Sequence, residues 1–272
     1  MKDLHGKQAY ITGGSSGIGL ETARQLAAKG CHITLFARDS QKLEKARQLI
    51  LNFRKAQAQK VEIFPMDVTN PQGVEDAIKA AVEAAGPPDI VIANAGQGHG
   101  DYFENTTYAI FDRVLQTNVY GVRNVVASSL PYLQEKQGHV VIVASLGGMA
   151  AMPGYTAYGT SKFAAVGFAK CLRPELKTKG IGLTLVCPPE VPTPMVDEEI
   201  QTLPKEFRAV KLMAGIQSVE QVSRTIVRGI EKNRFVVIPG FLAKASYALV
   251  KFLPGLLSNW VTDLMVRQHS KS

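Results

Sequence analysis

Cysteine is scarce in this chain: Cys31, Cys171 and Cys187 stand far apart among 272 residues, and no C-x-x-C pair occurs. That spacing excludes both a disulfide framework and a cysteine-based zinc site. Each cysteine has apolar neighbours, so buried, reduced thiols and a reducing compartment are expected. No His/Cys/Asp grouping has metal-ligand spacing, and no metal site is predicted. Near the C-terminus the longest uncharged runs are Phe235–Ala243 and Phe252–Thr262. Both fall short of the roughly 18–20 residues that span a bilayer. The opening Met1-Lys2-Asp3-Leu4-His5-Gly6 lacks an apolar h-region, so no signal peptide and a cytoplasmic location are expected. No basic patch interleaved with aromatics is present, which argues against nucleic acid as a partner.

What is present is ordinary in amount and uneven in placement. With 46% hydrophobic and 20% charged residues, the composition excludes disorder and collagen-like structure. The formal net charge is +8, but residues 201–272 hold 11 Lys and Arg against 4 Asp and Glu. That segment carries +7, leaving about +1 for residues 1–200. A basic segment beside apolar stretches is compatible with a solvated face, a membrane-surface face or a nucleic-acid arm.

Short β-branched, apolar runs alternate with stretches of helical period. The runs are Gln8–Thr12, His32–Ala37, Val61–Met66, Ile90–Ala93, His139–Ala144, Gly182–Cys187 and Arg234–Ile238. Helices are expected over Gly17–Lys29, Ser40–Lys55, Pro71–Ala85, Thr107–Gln134, Thr156–Lys179 and Ser218–Lys232. This order describes an α/β fold, a single doubly wound parallel sheet of seven strands with helices on both faces. The runs lack polar alternation because both faces of such a sheet are covered. No linker or repeat interrupts the pattern, so one catalytic domain over residues 1–240 is read, with residues 241–272 as a basic, apolar helical extension.

After the first run comes Thr12-Gly13-Gly14-Ser15-Ser16-Gly17-Ile18-Gly19, which opens a helix. Glycines here allow a tight turn and let backbone N–H groups approach a pyrophosphate at the positive end of the helix. A dinucleotide site using Gly13, Ser15, Ser16, Gly17, Ile18 and Gly19 is predicted. The second run ends Ala37-Arg38. An acidic residue there would accept the adenosine ribose hydroxyls, whereas the Arg38 guanidinium fits a 2′-phosphate. Lys42 offers a second cation, so NADP is preferred over NAD, with Asp39 the feature that speaks against it.

Tyr158 and Lys162 stand at i and i+4, placing a phenol and an ammonium on one helical face. A free Tyr titrates near 10. Lys162 together with an oxidised nicotinamide is expected to lower that value and make Tyr158 a general acid. Tyr155 lacks this pairing, since its i+4 residue is Gly159. Ser145 ends the fifth run, where a hydroxyl faces the ligand crevice and can donate to a substrate carbonyl. Asn94-Ala95-Gly96 ends the fourth run in the same way, and Asn118 lies inside a helical stretch. His99 follows the fourth run and is a candidate for the substrate mouth.

Order and spacing of these features resemble the short-chain dehydrogenase/reductase family over about residues 6–240. The resemblance rests on Thr12–Gly19, Asp67-Val68, Asn94–Gly96, Asn118, Ser145 and Tyr158-x-x-x-Lys162. It implies a Rossmann fold, an Asn118-Ser145-Tyr158-Lys162 tetrad and hydride transfer between a nicotinamide and a carbonyl or alcohol. It further implies that Tyr158 is the acid/base and that Ser145 orients the carbonyl. Lys162 would bind the nicotinamide ribose, and Asn118 would hold a water leading to solvent. Asp67 and Val68 would meet the adenine, Asn94 would line the cleft, and Val191 and Thr193 would meet the carboxamide. One departure is Cys187-Pro188-Pro189-Glu190, where most members have Pro-Gly. That run, with Ala37-Arg38, resembles the 3-ketodihydrosphingosine reductase subfamily, implying a lipid-like ketone substrate and NADPH.

The C-terminal segment Gly240–Val266 is apolar, with Lys244 and Lys251 seven residues apart and Pro254-Gly255 breaking it into two helices. It fits either peripheral membrane contact or core and subunit packing. The resemblance also implies a homo-oligomer, dimer or tetramer. Other ketones (a steroid, a 3-oxoacyl thioester, a small carbonyl) and a non-catalytic NADP-binding regulator are the competing functions.

Overall fold

In the computed structural model, which describes residues 1–212 and 214–252, the seven apolar runs meet in one sheet. The strands are β1 (Gln8–Thr12), β2 (His32–Ala37), β3 (Val61–Pro65), β4 (Ile90–Ala93), β5 (His139–Val143), β6 (Gly182–Val186) and β7 (Val236–Val237). Their order is β3-β2-β1-β4-β5-β6-β7, and every pairing is parallel. The chain builds outward through β2 and β3, then returns to the other side of β1 at β4. Order reverses between β1 and β4, and the crevice at their carboxyl ends is where such sheets take ligands.

Period-2 alternation within buried strands sends side chains to two separate cores. Tyr10, Val140 and Ile142 point to one face, where Val74, Ile78, Val125 and Ala165 meet them from α3 (Pro71–Ala85), α5 (Gly121–Lys136) and α6 (Thr156–Thr178). Ile11, Val141 and Val143 point to the other, against Leu26, Leu43, Val222 and Ile226. Those come from α1 (Gly17–Ala28), α2 (Ser40–Leu51) and α9 (Val219–Glu231). Sheet and helices form the doubly wound Rossmann-like arrangement.

Helix starts follow local chemistry. Asp39 caps α2 by accepting from Gln41 N and Lys42 N, and Asn70 caps α3 ahead of Pro71. Ser218 and Gln221 close a reciprocal capping box on α9. By contrast, α1 begins at Ser16 with no side-chain cap bond.

The structure departs from the sequence expectation in three places. The stretch expected as one helix over Thr107–Gln134 is α4 (Tyr108–Leu115), a π turn over Gln116–Tyr120, and α5. Two further helices, α7 (Pro194–Thr202) and α8 (Lys205–Leu212), lie between β6 and β7. Cys31 and Cys187 are buried, but Cys171 is exposed. Two residues from buried Ala169 is about 200° around the helix, so apolar sequence neighbours do not put Cys171 inside. The last helix among the described residues, α10 (Phe241–Phe252), opens the C-terminal segment. Pro254-Gly255 and the second expected helix lie outside the described residues. Among the described residues no helix is long and apolar enough to cross a membrane, and no metal-ligand cluster occurs.

Candidate active site

The crevice begins with the glycine loop. Gly17 has φ +53°, a left-handed conformation that a side chain disfavours, and a Cβ there would press on Thr193 Cγ2 at 3.1 Å. A Cβ at Gly19 would drive into the Gly13 carbonyl oxygen. Asn94 ties this loop to β4: its Nδ2 donates to Thr12 O at 3.0 Å and Gly13 O at 3.3 Å. Thr12 Oγ1 accepts from Asn94 N at 3.0 Å and Ala95 N at 3.1 Å. The loop is held low against the sheet, and the first N–H groups of α1 are left without a side-chain acceptor. That is the form of an anion cradle, and it fits the pyrophosphate of a nicotinamide dinucleotide.

A cleft runs from this loop across the carboxyl ends of β4, β5 and β6. Gly13, Ser16, Gly17, Ile18, Asn94, Ser145, Tyr158, Lys162, Val191 and Thr193 all line it. Ser15 and Gly19 do not; Gly19 is buried behind the loop. Ser145 sits just past β5, where its Oγ accepts from Gly147 N at 3.1 Å. Pro188 O accepts from Leu146 N at 2.8 Å, so the double-proline run braces the end of β5.

Helix α6 carries the phenol and the ammonium on one face. Tyr158 lines the cleft with Ser145, and Lys162 Nζ lies 5.6 Å from the Tyr158 ring centroid. Lys162 is 5% exposed and donates to Val143 O at 3.3 Å. Burial disfavours its charge and brings it down to about 8, with Cys187 opposing. The expected lowering of Tyr158 is not what the protein's own groups produce. Burial raises the phenol, the Glu199 carboxylate adds to that, and the Ser145 hydrogen bond only partly opposes it. Tyr158 is therefore protonated, the state required of an acid that donates to a carbonyl oxygen.

Asn118 is 1% exposed within the π turn. Its Oδ1 accepts from Gln97 N at 2.8 Å, and its Nδ2 donates to Gln97 O and Ser161 Oγ, both at 2.9 Å. It thus joins the loop after β4 to α6, one residue from Lys162. A built Cβ on Gly96 lies 3.2 Å from Asn118 Oδ1 and 3.6 Å from Lys162 Nζ, so the two groups converge there.

Four predicted cofactor residues stand apart from this cleft at the carboxyl ends of β2 and β3. Arg38 is exposed, and Asp39 beside it spends its Oδ1 on the α2 N-terminus. Lys42 Nζ lies 4.0 Å from Asp39 Oδ2. Asp67 is exposed and holds Thr69 through N and Oγ1, both at 2.9 Å. Val68 is buried against Gly121, and its carbonyl accepts from Asn124 Nδ2 at 3.0 Å. His99 is not among the cleft walls; its Nε2 faces Thr106 Oγ1 at 3.4 Å.

Sequence reasoning missed Glu199 and the contact that Tyr155 makes with it. Glu199, on α7, is 6% exposed, lines the cleft and accepts a hydrogen bond from Tyr155 OH. The Tyr155 ring meets Tyr158 edge to face, with centroids 5.8 Å apart. An acidic residue ten positions past Pro189 was the signal available, and it does not set Glu199 apart from Asp197 and Glu198 beside it.

Comparison with known proteins gives the family and the fold. The family described as short chain dehydrogenase matches residues 7–204. The 3-dehydrosphinganine reductase of Danio rerio is 34% identical over 237 residues, covering 85% of this chain and 70% of that protein. The 3-ketodihydrosphingosine reductase of Bos taurus is 35% identical with the same coverage. A short chain dehydrogenase/reductase from Burkholderia phymatum, solved in complex with NAD, superposes with TM-score 0.81 at 25% identity, covering 92% of this chain and 95% of that one. The chain belongs to the short-chain dehydrogenase family, oxidoreductases that interconvert C=O and CH–OH with a nicotinamide cofactor.

Proposed function

We propose that this protein reduces the 3-keto group of a long-chain sphingoid base, 3-ketodihydrosphingosine, to the alcohol, with NADPH as reductant. One arrangement carries the chemistry: Ser145, the Tyr158 phenol and buried Lys162 together on the wall of the cleft that begins at the glycine loop. The names of the Danio rerio and Bos taurus relatives support the substrate. So do the apolar walls supplied by Met152, Met195, Pro188 and Pro189.

Gly13, Ser16, Gly17 and Ile18 would cradle the pyrophosphate, with Ser15 and Gly19 shaping the loop behind them; Asp67 and Val68 would meet the adenine, and Val191 and Thr193 the carboxamide. Asn94 acts by holding the loop. When bound, the reduced nicotinamide supplies a hydride to the carbonyl carbon. Ser145 Oγ–H donates to the ketone oxygen as negative charge grows there. Tyr158 delivers its proton to that oxygen, completing the alcohol. Lys162 stabilises the phenolate left behind and holds the nicotinamide ribose, while Asn118 fixes the solvent path beside it. Arg38 selects the 2′-phosphate: it is exposed at the end of β2, where Asp39 is engaged by its own helix.

Residues 1–240 act as the catalytic domain and 241–272 as its extension. On α10, Phe241, Ala245, Ala248, Leu249 and Phe252 form one exposed apolar stripe, with Phe241 83% and Phe252 79% exposed. Lys244 and Lys251 flank it, an arrangement suited to the interface of an anionic membrane. Replacing Phe241 and Phe252 by serine should abolish sedimentation with anionic vesicles. A homo-oligomer, formed through the helices that follow Asn118 and carry Tyr158, completes the proposal; light scattering tests it.

The deciding assay is NADPH oxidation with 3-ketodihydrosphingosine, beside short ketones, a steroid ketone and a 3-oxoacyl thioester. A higher kcat/KM for any of those others would overturn the substrate. Absence of turnover with every ketone would favour a non-catalytic NADP-binding regulator.

A further inference from the structure

We propose that Glu199 forms an ammonium-binding subsite in the catalytic cleft and takes the protonated amine adjacent to the substrate ketone. The inference rests on the substrate being a sphingoid base, in which amine and ketone occupy neighbouring carbons.

Glu199 is a buried carboxylate on the wall of the cleft that holds Ser145 and Tyr158. Its Oε1 accepts from Tyr155 OH, and Tyr155 packs edge to face on Tyr158. The carboxylate is therefore one aromatic ring removed from the proton donor. Its Oε2 lies over the loop after β4, where a Cβ on Gly98 would stand only 2.6 Å away. Met195, one turn earlier on α7, packs on the same loop, 3.3 Å from that built Cβ. The loop thus presents bare backbone to Oε2, and at Gly96 on the same loop Met195 Cε and Lys162 Nζ each lie 3.6 Å from where a Cβ would stand. Glu190 also lines the cleft and adds charge of the same sign.

With the ketone oxygen held by Ser145 and Tyr158, an amine on the next carbon cannot leave their immediate surroundings. Glu199 is the buried anion on that wall. Charge-assisted hydrogen bonding to an ammonium satisfies a carboxylate more strongly than a phenol does. Ketones without an amine lack this partner, so the subsite discriminates by chemistry as well as by chain length. Glu199 also opposes ionisation of Tyr158, which keeps the acid loaded until the ketone is reduced.

The test compares 3-ketodihydrosphingosine with the 1-hydroxy-3-ketone of equal chain length that lacks the amine. For Glu199→Gln, kcat/KM on the amino ketone should fall about 100-fold, mainly through KM. The loss on the des-amino ketone should be at least about tenfold smaller. Tyr155→Phe keeps the carboxylate, and should keep the preference for the amine. Equal losses on both ketones in Glu199→Gln, or an undiminished preference, would overturn the subsite and leave Glu199 as a support for Tyr155. Failure of the wild-type enzyme to turn over the amino ketone would instead overturn the substrate reading. In that event, inhibition of whichever ketone is reduced, by octadecylamine against octadecanol, decides the subsite. A preference for the amine that Glu199→Gln abolishes supports it, and equal inhibition ends it.

Discussion

Replacing Thr12 by valine removes one hydroxyl at nearly constant volume, at the point where β1 hands the chain to the glycine loop. Thr12 is 3% exposed. Its Oγ1 donates to Ile92 O at 3.3 Å and accepts from the backbone N–H groups of Asn94 and Ala95 at 3.0 and 3.1 Å. Valine leaves both N–H groups without that acceptor, while Ile92 O keeps its place in the β1–β4 ladder. An unsatisfied buried donor costs about 1–3 kcal/mol. Asn94 and Ala95 are only half-buried, so the low end applies and the total is about 2–3 kcal/mol. For a domain of this size each kcal/mol moves the melting temperature by roughly 2–4 °C, so Thr12→Val should melt about 5–10 °C lower. Thermal unfolding followed by circular dichroism measures this, and Thr12→Ser, which keeps Oγ, should recover most of it. A Thr12→Val protein that melts within about 2 °C of wild type would refute the reasoning. So would a serine variant no better than valine, because the hydroxyl would then not be the cause.

Tyr158→Phe should lower kcat by about 10²–10⁴-fold while NADPH binding, followed by fluorescence quenching, persists; a loss under about tenfold would remove Tyr158 as the proton donor. Arg38→Asp should cut the NADPH/NADH ratio of kcat/KM by about 10–100-fold, and an unchanged ratio would show that Arg38 does not read the 2′-phosphate. His139 supplies a pH prediction. Burial lowers its pKa to about 4 in the folded protein, against about 6.5 when unfolded, and its Nε2 pairs with Thr184 Oγ1 at 2.8 Å. Above about pH 6.5 the ring is neutral in both states and contributes no slope. Between about pH 6.5 and 4 the unfolded chain binds the proton first, so stability falls as pH falls, by about 3 kcal/mol in all. His139→Gln should flatten that part of the urea-derived stability profile; an unaltered slope would assign it to other groups.

Much of the fold was legible because its signals are local. Apolar runs with no polar alternation announced buried parallel strands, and the observed strands lie within a residue or two of those runs. Helix ends were equally local, as at Asn70-Pro71 and Ser218-x-x-Gln221. The carboxyl ends of consecutive strands lie on one edge of a parallel sheet. For that reason the glycine loop, Asn94, Ser145 and Tyr158 could be expected together before any distance was known.

Other features depend on which distant segments meet, and periodicity carries no record of that. Within the 107–134 stretch the helix passes through a π turn, in which Asn118 bonds Gln97 and Ser161, partners 21 and 43 residues away. Cys171 faces water because its helix turns it outward, although apolar Ala169 and Leu172 stand near it in sequence. Lys162 together with an oxidised nicotinamide is expected to lower Tyr158, but among the protein's own groups burial and Glu199, 41 positions on, raise it. By itself the sequence determined the sheet, the loop and the spacing of phenol and ammonium, since these arise from neighbouring residues and strand polarity. Only the tertiary structure decided the protonation of Tyr158 and the placing of a buried carboxylate beside it. Desolvation and charge depend on distance in space, which the order of residues does not contain.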